Sequence, residues 1–176
     1  MWRILFILML VPGILLAQEV KKEDVWDPFK FFVGKWEGTG KGKSGISKLE
    51  AEFKFVLNQK YLQVKGRIVF KPQEKNKKGE VHEDWSFISY DLTRKKFVLR
   101  QFNVEGFVSQ YVLDSLSADK RTLVFLSESI ENIPAGWRAR STYKILNENE
   151  FLQIFELAAP EKDFEVYSES QVKRKK

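Results

Sequence analysis

The amino-acid sequence predicts an all-β fold, an antiparallel up-and-down β-barrel of about ten strands with a short N-terminal helix. Hydrophobic and polar residues alternate with a period of two over most of the chain, and short turn sequences separate the alternating runs. No helical run lies between these segments, so consecutive strands should pair antiparallel through short links. A sheet this long is expected to close or split, and hairpins without a long crossover favour a barrel.

The N-terminal residues have the layout of a secretory signal peptide. Arg3 precedes an apolar run over 4–16, which is shorter than the ~20 residues that a membrane-spanning helix needs. Ala17 provides a small residue at the expected cleavage point. We therefore expect a cleaved signal peptide over 1–17, a single barrel domain over 18–176, and a periplasmic or secreted location. An uncleaved membrane anchor is the alternative.

A short helix is expected immediately before the alternating pattern begins. Asp27 is a suitable N-cap and Pro28 suits the first helical position. Phe29, Phe32 and Val33 would share one face of this helix, at spacings of three and four residues. That apolar face should pack against the rest of the protein.

The glycine-rich run "GTGKGKS" over 38–44 raises the question of a phosphate-binding loop. A P-loop needs G-x-x-x-x-G-K-[ST], and here Glu37 occupies the position of the first glycine. No helical pattern follows Gly45, so a dinucleotide-binding loop is excluded by its context. Trp36 and the glycines of the run fall on alternate positions of a strand. We expect them to line its inner face, where absent side chains permit bending and close backbone approach.

The remaining strands follow from alternation and turn signals, and they are expected over 47–57, 61–70, 80–90, 96–104, 106–115, 121–130, 137–146, 151–159 and 164–173. In the strand over 80–90, the row that contains Val81, Trp85 and Phe87 is predicted to face inward. The opposite row contains His82, the single histidine of the chain, which is therefore expected to face solvent.

The segment "FFVGKWEGTGKG" over 31–42, a helix followed by G-x-W-x-G-x-G, resembles the calycin-like β-barrels, which include the lipocalin-like proteins. It is similar in particular to the nitrobindin-like haem-binding barrels and to related secreted bacterial proteins of unknown function. "YDLTRKKFV" over 90–98 matches more loosely. The resemblance implies a ligand-binding barrel and, in its haem-binding members, an iron-ligating histidine near the C-terminus. The final strands of this chain contain no histidine, so Tyr111, Tyr143 and Tyr167 are the alternative iron ligands.

The function predicted first is that of an exported carrier that binds a hydrophobic, lipid-like small molecule in an aromatic-lined barrel cavity. Ser109, Ser127 and Ser141 could supply hydrogen bonds to this ligand. The same aromatic side chains could instead simply fill the barrel. The candidate ligand-binding residues are Trp36, Phe53, Phe55, Trp85, Phe87, Tyr111, Phe125, Trp137, Tyr143 and Phe155.

A second hypothesis is an interaction protein at an envelope surface. The net charge is +6, and the basic residues concentrate in the loop over 71–79 and the tail over 173–176. These segments could make weak contacts with an anionic membrane surface. They lack the interleaved aromatic residues of single-strand binders, so no nucleic-acid partner is expected.

Catalytic constellations are thin in this sequence, which leaves enzymatic activity open but favours a protein without it. The chain has no cysteine and a single histidine, which excludes most nucleophile–base arrangements. No metal-binding motif occurs, so no cofactor other than haem is considered. The remaining acid–base candidates are carboxylate pairs on late strands, Glu156 with Glu165 or Glu169.

Overall fold

The computed structural model describes residues 24–176, and the predicted signal peptide over 1–17 lies outside the described residues. No helix in this described part is long and apolar enough to cross a membrane. The elements are α1 (Asp27–Lys30), β1 (Gly34–Gly42), β2 (Gly45–Val56), β3 (Tyr61–Phe70), β4 (Glu80–Asp91), β5 (Lys96–Asn103), β6 (Val108–Leu116), β7 (Thr122–Ile130), β8 (Arg138–Asn147), β9 (Glu150–Ala158) and β10 (Glu165–Arg174).

The strands form one closed antiparallel barrel in which each strand pairs with the next and β1 pairs with β10. Trp36 of β1, for example, lies opposite Ala51 of β2 on one side and Arg174 of β10 on the other. The predicted fold class is therefore confirmed, and the predicted strand bounds agree with the observed ones to within a few residues.

The two ends of the barrel differ, and we call the end where β1 begins the lower end and the opposite end the upper end. Because the strands alternate in direction, the basic loop over 71–79 lies at the upper end and the tail over 173–176 at the lower end. Gln73 anchors the loop, since its Oε1 accepts from Ile46 N at 2.7 Å and its Nε2 donates to Ile46 O at 2.8 Å. The two basic segments therefore cannot form one continuous surface.

Helix α1 closes the lower end as a plug. Phe29 and Phe32 are only 1% and 2% exposed. The ring of Phe29 lies 4.5 Å from that of Phe97, and the ring of Phe32 lies 5.3 Å from that of Phe151. The predicted apolar helix face thus packs into the barrel itself.

Two details of the predicted helix are wrong. Asp27 is its first residue rather than its N-cap, a position that Trp26 occupies without a side-chain cap. Val33 is 36% exposed rather than buried with the phenylalanines. The exposure of Val33 arises because α1 lasts about one turn, and the chain continues into β1 before Val33 could complete the helical face.

Arg174 fastens the plug to the barrel wall. Its guanidinium donates to the carbonyl oxygens of Val33 and Phe31 at 2.8 and 2.7 Å and lies 4.3 Å from the Trp36 ring centre. Trp36 Nε1 donates to the carbonyl oxygen of Phe32 at 2.6 Å. The carbonyls at the end of a helix lack intrahelical partners, and here the first and last strands satisfy them.

The glycine-rich run forms part of β1, as the sequence predicts. A Cβ on Gly38 would overlap the backbone carbonyl oxygen of Gln171, and one on Gly42 would overlap that of Tyr167. A side chain at either position would therefore meet the backbone of β10, which cannot rotate away. The glycines allow β10 to approach β1 this closely.

Candidate ligand-binding site

The inward face of the barrel becomes polar above the plug. We call the region bounded by these inward side chains the polar chamber; its members are Ser47, Asp84, Ser86, Gln101, Ser109, Tyr111, Ser127, Ser141, Tyr143, Gln153, Ser168 and Ser170. Seven of these twelve residues are serines, whose hydroxyl groups can donate and accept hydrogen bonds.

Several chamber residues keep accessible surface although they point inward. Asp84, Gln101, Tyr143 and Gln153 are half-buried. The barrel wall is closed around them, and their side chains lie on the inward rows of their strands. These four residues are therefore among the members of the chamber that are not fully buried.

Asp84 is the carboxylate of the chamber. Ser86 Oγ donates to its Oδ2 at 3.0 Å, and the side chain of Gln101 also hydrogen-bonds it. The carboxylate lies over Gly66, where a Cβ would come within 3.2 Å of Asp84 Cγ. Burial raises the pKa of Asp84 and the negative charge of Glu105 adds to the rise, whereas the two hydrogen bonds act in the opposite direction.

Two tyrosines lie close enough to Asp84 for its charge to act on them. Tyr111 hydrogen-bonds Ser109, Tyr143 hydrogen-bonds Ser141, and Gln153 Nε2 donates to the Tyr143 hydroxyl at 3.3 Å (Gln153 belongs to the same chamber). Burial raises the pKa of both phenols, and the charge of Asp84 contributes to each rise. The phenols are therefore protonated hydrogen-bonding groups at neutral pH.

The donor set does not favour haem ligation by these tyrosines. A metal-bound tyrosine must lose its proton, and burial makes this harder at Tyr111 and Tyr143. Tyr167 packs edge-on against Phe155 with ring centres 6.0 Å apart. Across residues 24–176, no group of three or more histidine, aspartate and glutamate side chains is placed to hold a metal ion.

His82 lies at the upper rim on the same row of β4 as Asp84. Its Nε2 is 3.2 Å from a carboxylate oxygen of Glu80, its Nδ1 contacts Glu105, and its ring packs edge-on against Phe70. Burial lowers the pKa of His82, but the hydrogen bonds to the two glutamates outweigh burial, so the net shift is upward.

The predicted orientation of β4 is wrong. Ser86 and Ile88 are 4% and 5% exposed and face inward with Asp84, whereas Trp85 is 54% exposed on the outer face. Phe87 lies on the same outer row as Trp85. Lys65 Nζ lies 4.3 Å from the centre of the Trp85 ring, a cation–π contact on the outer wall.

The other predicted ligand-binding residues fall into three groups. Tyr111 and Phe155 face the interior above the plug. Trp137 directly precedes β8 at the upper end of the barrel and is 38% exposed. The remaining five contact aromatic rings of the segment over 26–32 and form the floor of the chamber: Trp36, Phe53, Phe55, Phe125 and Tyr143.

The carboxylates proposed for acid–base chemistry are each engaged with a cation at the surface, and they do not face the chamber. The ion pairs are Glu156 with Arg140 at 2.5 Å, Glu165 with Lys43 at 2.8 Å, and Glu169 with Lys41 at 3.5 Å. The pairs of Glu165 and Glu169 are typical of a solvated strand surface, whereas the side chain of Glu156 is only 12% exposed beside Arg140.

The outer wall carries a shallow groove of about 650 Å³ across β10, β1, β2 and β3. Its charges are largely compensated, since Arg67 pairs with Glu83 at 3.2 Å and Lys173 with Glu150 at 3.7 Å. We place the candidate site inside the barrel, because the chamber combines enclosure with converging polar groups.

The comparisons with known proteins support the architecture. No family model matches this sequence, and no curated protein matches it. Among solved structures, the chain is similar to the crystal structure of Rv2717c from M. tuberculosis, with a TM-score of 0.63, 15% identity, and coverage of 86% of this chain and 97% of that chain. At this identity the likeness concerns the fold, a closed antiparallel barrel, and the resemblance to the nitrobindin-like family stays a prediction.

Proposed function

We propose that the protein is an exported carrier that binds a small amphipathic molecule in the polar chamber. The observation that supports this proposal is the set of inward serines with Asp84 and two tyrosines, polar groups that converge inside the closed barrel. Buried polar groups cost stability unless they are hydrogen-bonded, and a barrel selected for stability alone would be filled with apolar side chains. Polar groups that converge above an aromatic floor are the kind of arrangement that holds a ligand in one orientation.

The structure narrows the kind of ligand that we propose. A wholly hydrophobic, lipid-like ligand would need the aromatic residues as its walls, but five of them pack against the plug. The apolar part of the ligand would instead contact Tyr111, Phe155 and the top of the aromatic floor. Its polar part would be held by the serines and Asp84. Export is proposed from the predicted signal peptide.

Native mass spectrometry of the purified chain over 18–176 tests the proposal directly. We expect a copurifying small molecule that is released on denaturation. Ser141→Phe should abolish this adduct by filling the chamber, and Ser109→Val should weaken it with a smaller change in volume. Ser129→Phe, at an exposed position of β7, is the matched control and should leave it intact.

Two results of these experiments would count against the proposal. Absence of any adduct, together with absence of binding by a fluorescent lipid probe, would contradict the carrier proposal. An adduct that survives in folded Ser141→Phe and Ser109→Val would place the ligand outside the chamber.

A further inference from the structure

We infer that the ligand of the polar chamber is a small organic cation, such as an alkylammonium ion, whose charged group binds the carboxylate of Asp84. This inference rests on the proposed function and specifies the chemistry of the same site. It follows from the charge of the chamber, from the surroundings of Asp84, and from the cost of burying a carboxylate without a counter-ion.

The charge of the chamber is the first argument. Among the residues that the structure describes, the inward rows above the plug carry the Asp84 carboxylate and no lysine or arginine. Arg174 also points inward, but it lies at the lower end and is engaged with Phe31 and Val33. A ligand in the chamber therefore meets the Asp84 carboxylate and, among the described residues, no lysine or arginine. The one histidine at the rim, His82, is held between Glu80 and Glu105, so the balance of charge favours a positive charge on the ligand.

The immediate surroundings of Asp84 are the second argument. Its carboxylate receives hydrogen bonds from Ser86 and Gln101, both neutral donors. An ionised carboxylate has about four acceptor positions, so these two bonds leave capacity for further donors. Oδ1 packs over Gly66, in the space that a Cβ there would need, and an ammonium group with up to three N–H donors could supply a further hydrogen bond to this carboxylate.

The cost of burial is the third argument. A buried carboxylate without a counter-ion is unfavourable, and burial accordingly raises the pKa of Asp84. A bound cation would offset this cost and favour the ionised form. The aromatic rings of the chamber also suit a cation, because their faces are electron-rich. The titratable groups that face or adjoin Asp84 are Glu80, His82 and Glu105 at the rim and Tyr111 and Tyr143 inside; Gln101 and the serines are uncharged.

Three matched six-carbon probes test the inference: hexylammonium, 1-hexanol and hexanoate. Their affinities for the chain over 18–176 would be measured by isothermal titration calorimetry at pH 8. We expect hexylammonium to bind at least about tenfold more tightly than hexanol, which corresponds to one charge-assisted hydrogen bond. Hexanoate should bind most weakly of the three.

The pH dependence supplies a second measurement that needs no variant. Lowering the pH should protonate Asp84 and weaken hexylammonium binding, while hexanol binding should change little. A preference for hexanoate that grows at low pH would indicate that the chamber takes a carboxylic acid instead, and it would overturn the inference.

Asp84→Asn is the decisive variant because it removes the charge and keeps the shape. It should bind hexylammonium and hexanol about equally. Asp114→Asn, at an exposed position of β6, should keep the wild-type preference.

Tighter binding of hexylammonium that persists in Asp84→Asn would refute the role of Asp84. Hexanol binding as strong as hexylammonium binding in the wild-type protein would refute the cation inference and leave the carrier proposal standing. If no probe binds but the native adduct is present, only the cation inference fails. If the adduct is absent as well, the carrier proposal fails.

Discussion

Replacing Gly38 by alanine should destabilise the barrel much more than the same replacement at Gly40, two residues further along the same face of β1. A Cβ at Gly38 would overlap the backbone carbonyl oxygen of Gln171 and approach the Cα of Val172 to 2.9 Å. A Cβ at Gly40 would lie 2.6 Å from Ser47 Oγ and 2.7 Å from Ser170 Oγ. The first clash involves the backbone of β10, whereas the second involves two short side chains that can rotate.

The magnitudes follow from this difference. Overpacking typically costs ~1–3 kcal/mol, and a backbone clash that no rotamer relieves should lie near ~3 kcal/mol. At Gly40 the rotation of two serines costs less. Alanine there also stabilises the folded state by ~0.4–1 kcal/mol, because it reduces the conformational entropy of the unfolded chain. We therefore expect Gly40→Ala to remain within about 1 kcal/mol of the wild-type protein.

Urea denaturation of the chain over 18–176 would measure the free energy of unfolding of each variant. Equal m values, the slopes of that free energy against urea concentration, would confirm that both variants unfold in the same transition. For a chain of this size, each kcal/mol corresponds to a change in Tm of ~2–4 °C, so thermal unfolding provides an independent check. Equal destabilisation by Gly38→Ala and Gly40→Ala would refute the argument that β1 needs glycine for close approach of the β10 backbone.

Three further predictions concern other parts of the barrel. Burial raises the pKa of Asp84 in the folded protein, so the stability that this group contributes is present at low pH and is lost as the pH rises through the folded pKa. Asp84→Asn should therefore be more stable than the wild-type protein at pH 7 and lose that advantage near pH 3, which urea unfolding at the two pH values would test. Arg174→Met should lower the free energy of unfolding in urea by ~1–3 kcal/mol, because it leaves two carbonyl oxygens without their donor. Lys173→Met, at an exposed ion pair, should lower it by less than ~1 kcal/mol, and equal effects would contradict the fastening role of Arg174. Phe29→Ala should cost ~3–5 kcal/mol in guanidinium denaturation because it empties the centre of the plug, and a loss below ~1 kcal/mol would show that α1 does not close the barrel.

The fold was predictable because its strands are half-buried. Leu49 and Phe53 of β2 face the core and alternate with charged residues that face water, so the period of two appears directly in the sequence. The partner of α1 was not predictable in the same way. Phe29 packs against Phe97 and Phe125, which lie far along the chain, and this proximity exists only after the barrel has closed.

The candidate site was harder to predict because it reverses the usual pattern of burial. In β4 both rows contain large apolar residues, Trp85 and Phe87 on one and Ile88 and Tyr90 on the other. The prediction placed the row of Val81, Trp85 and Phe87 inward and so turned the row of Asp84 toward solvent, where a charged residue is usually found. Two features of the sequence favoured the orientation of β4 that the structure shows. Serines were predicted to face inward on other strands, and the preceding strand contains a glycine.

The pairing of β1 with β10 also determines when the protein can finish folding. The plug belongs to the N-terminal part of the described chain, but Arg174, which fastens it to the wall, lies on the last strand, so closure requires contacts between residues more than a hundred positions apart. Contacts this distant in sequence form slowly. Until they form, β1 and β9 each present an unpaired edge that can recruit other strands. A chain truncated before β10 would keep both edges open, which makes it a substrate for aggregation or proteolysis.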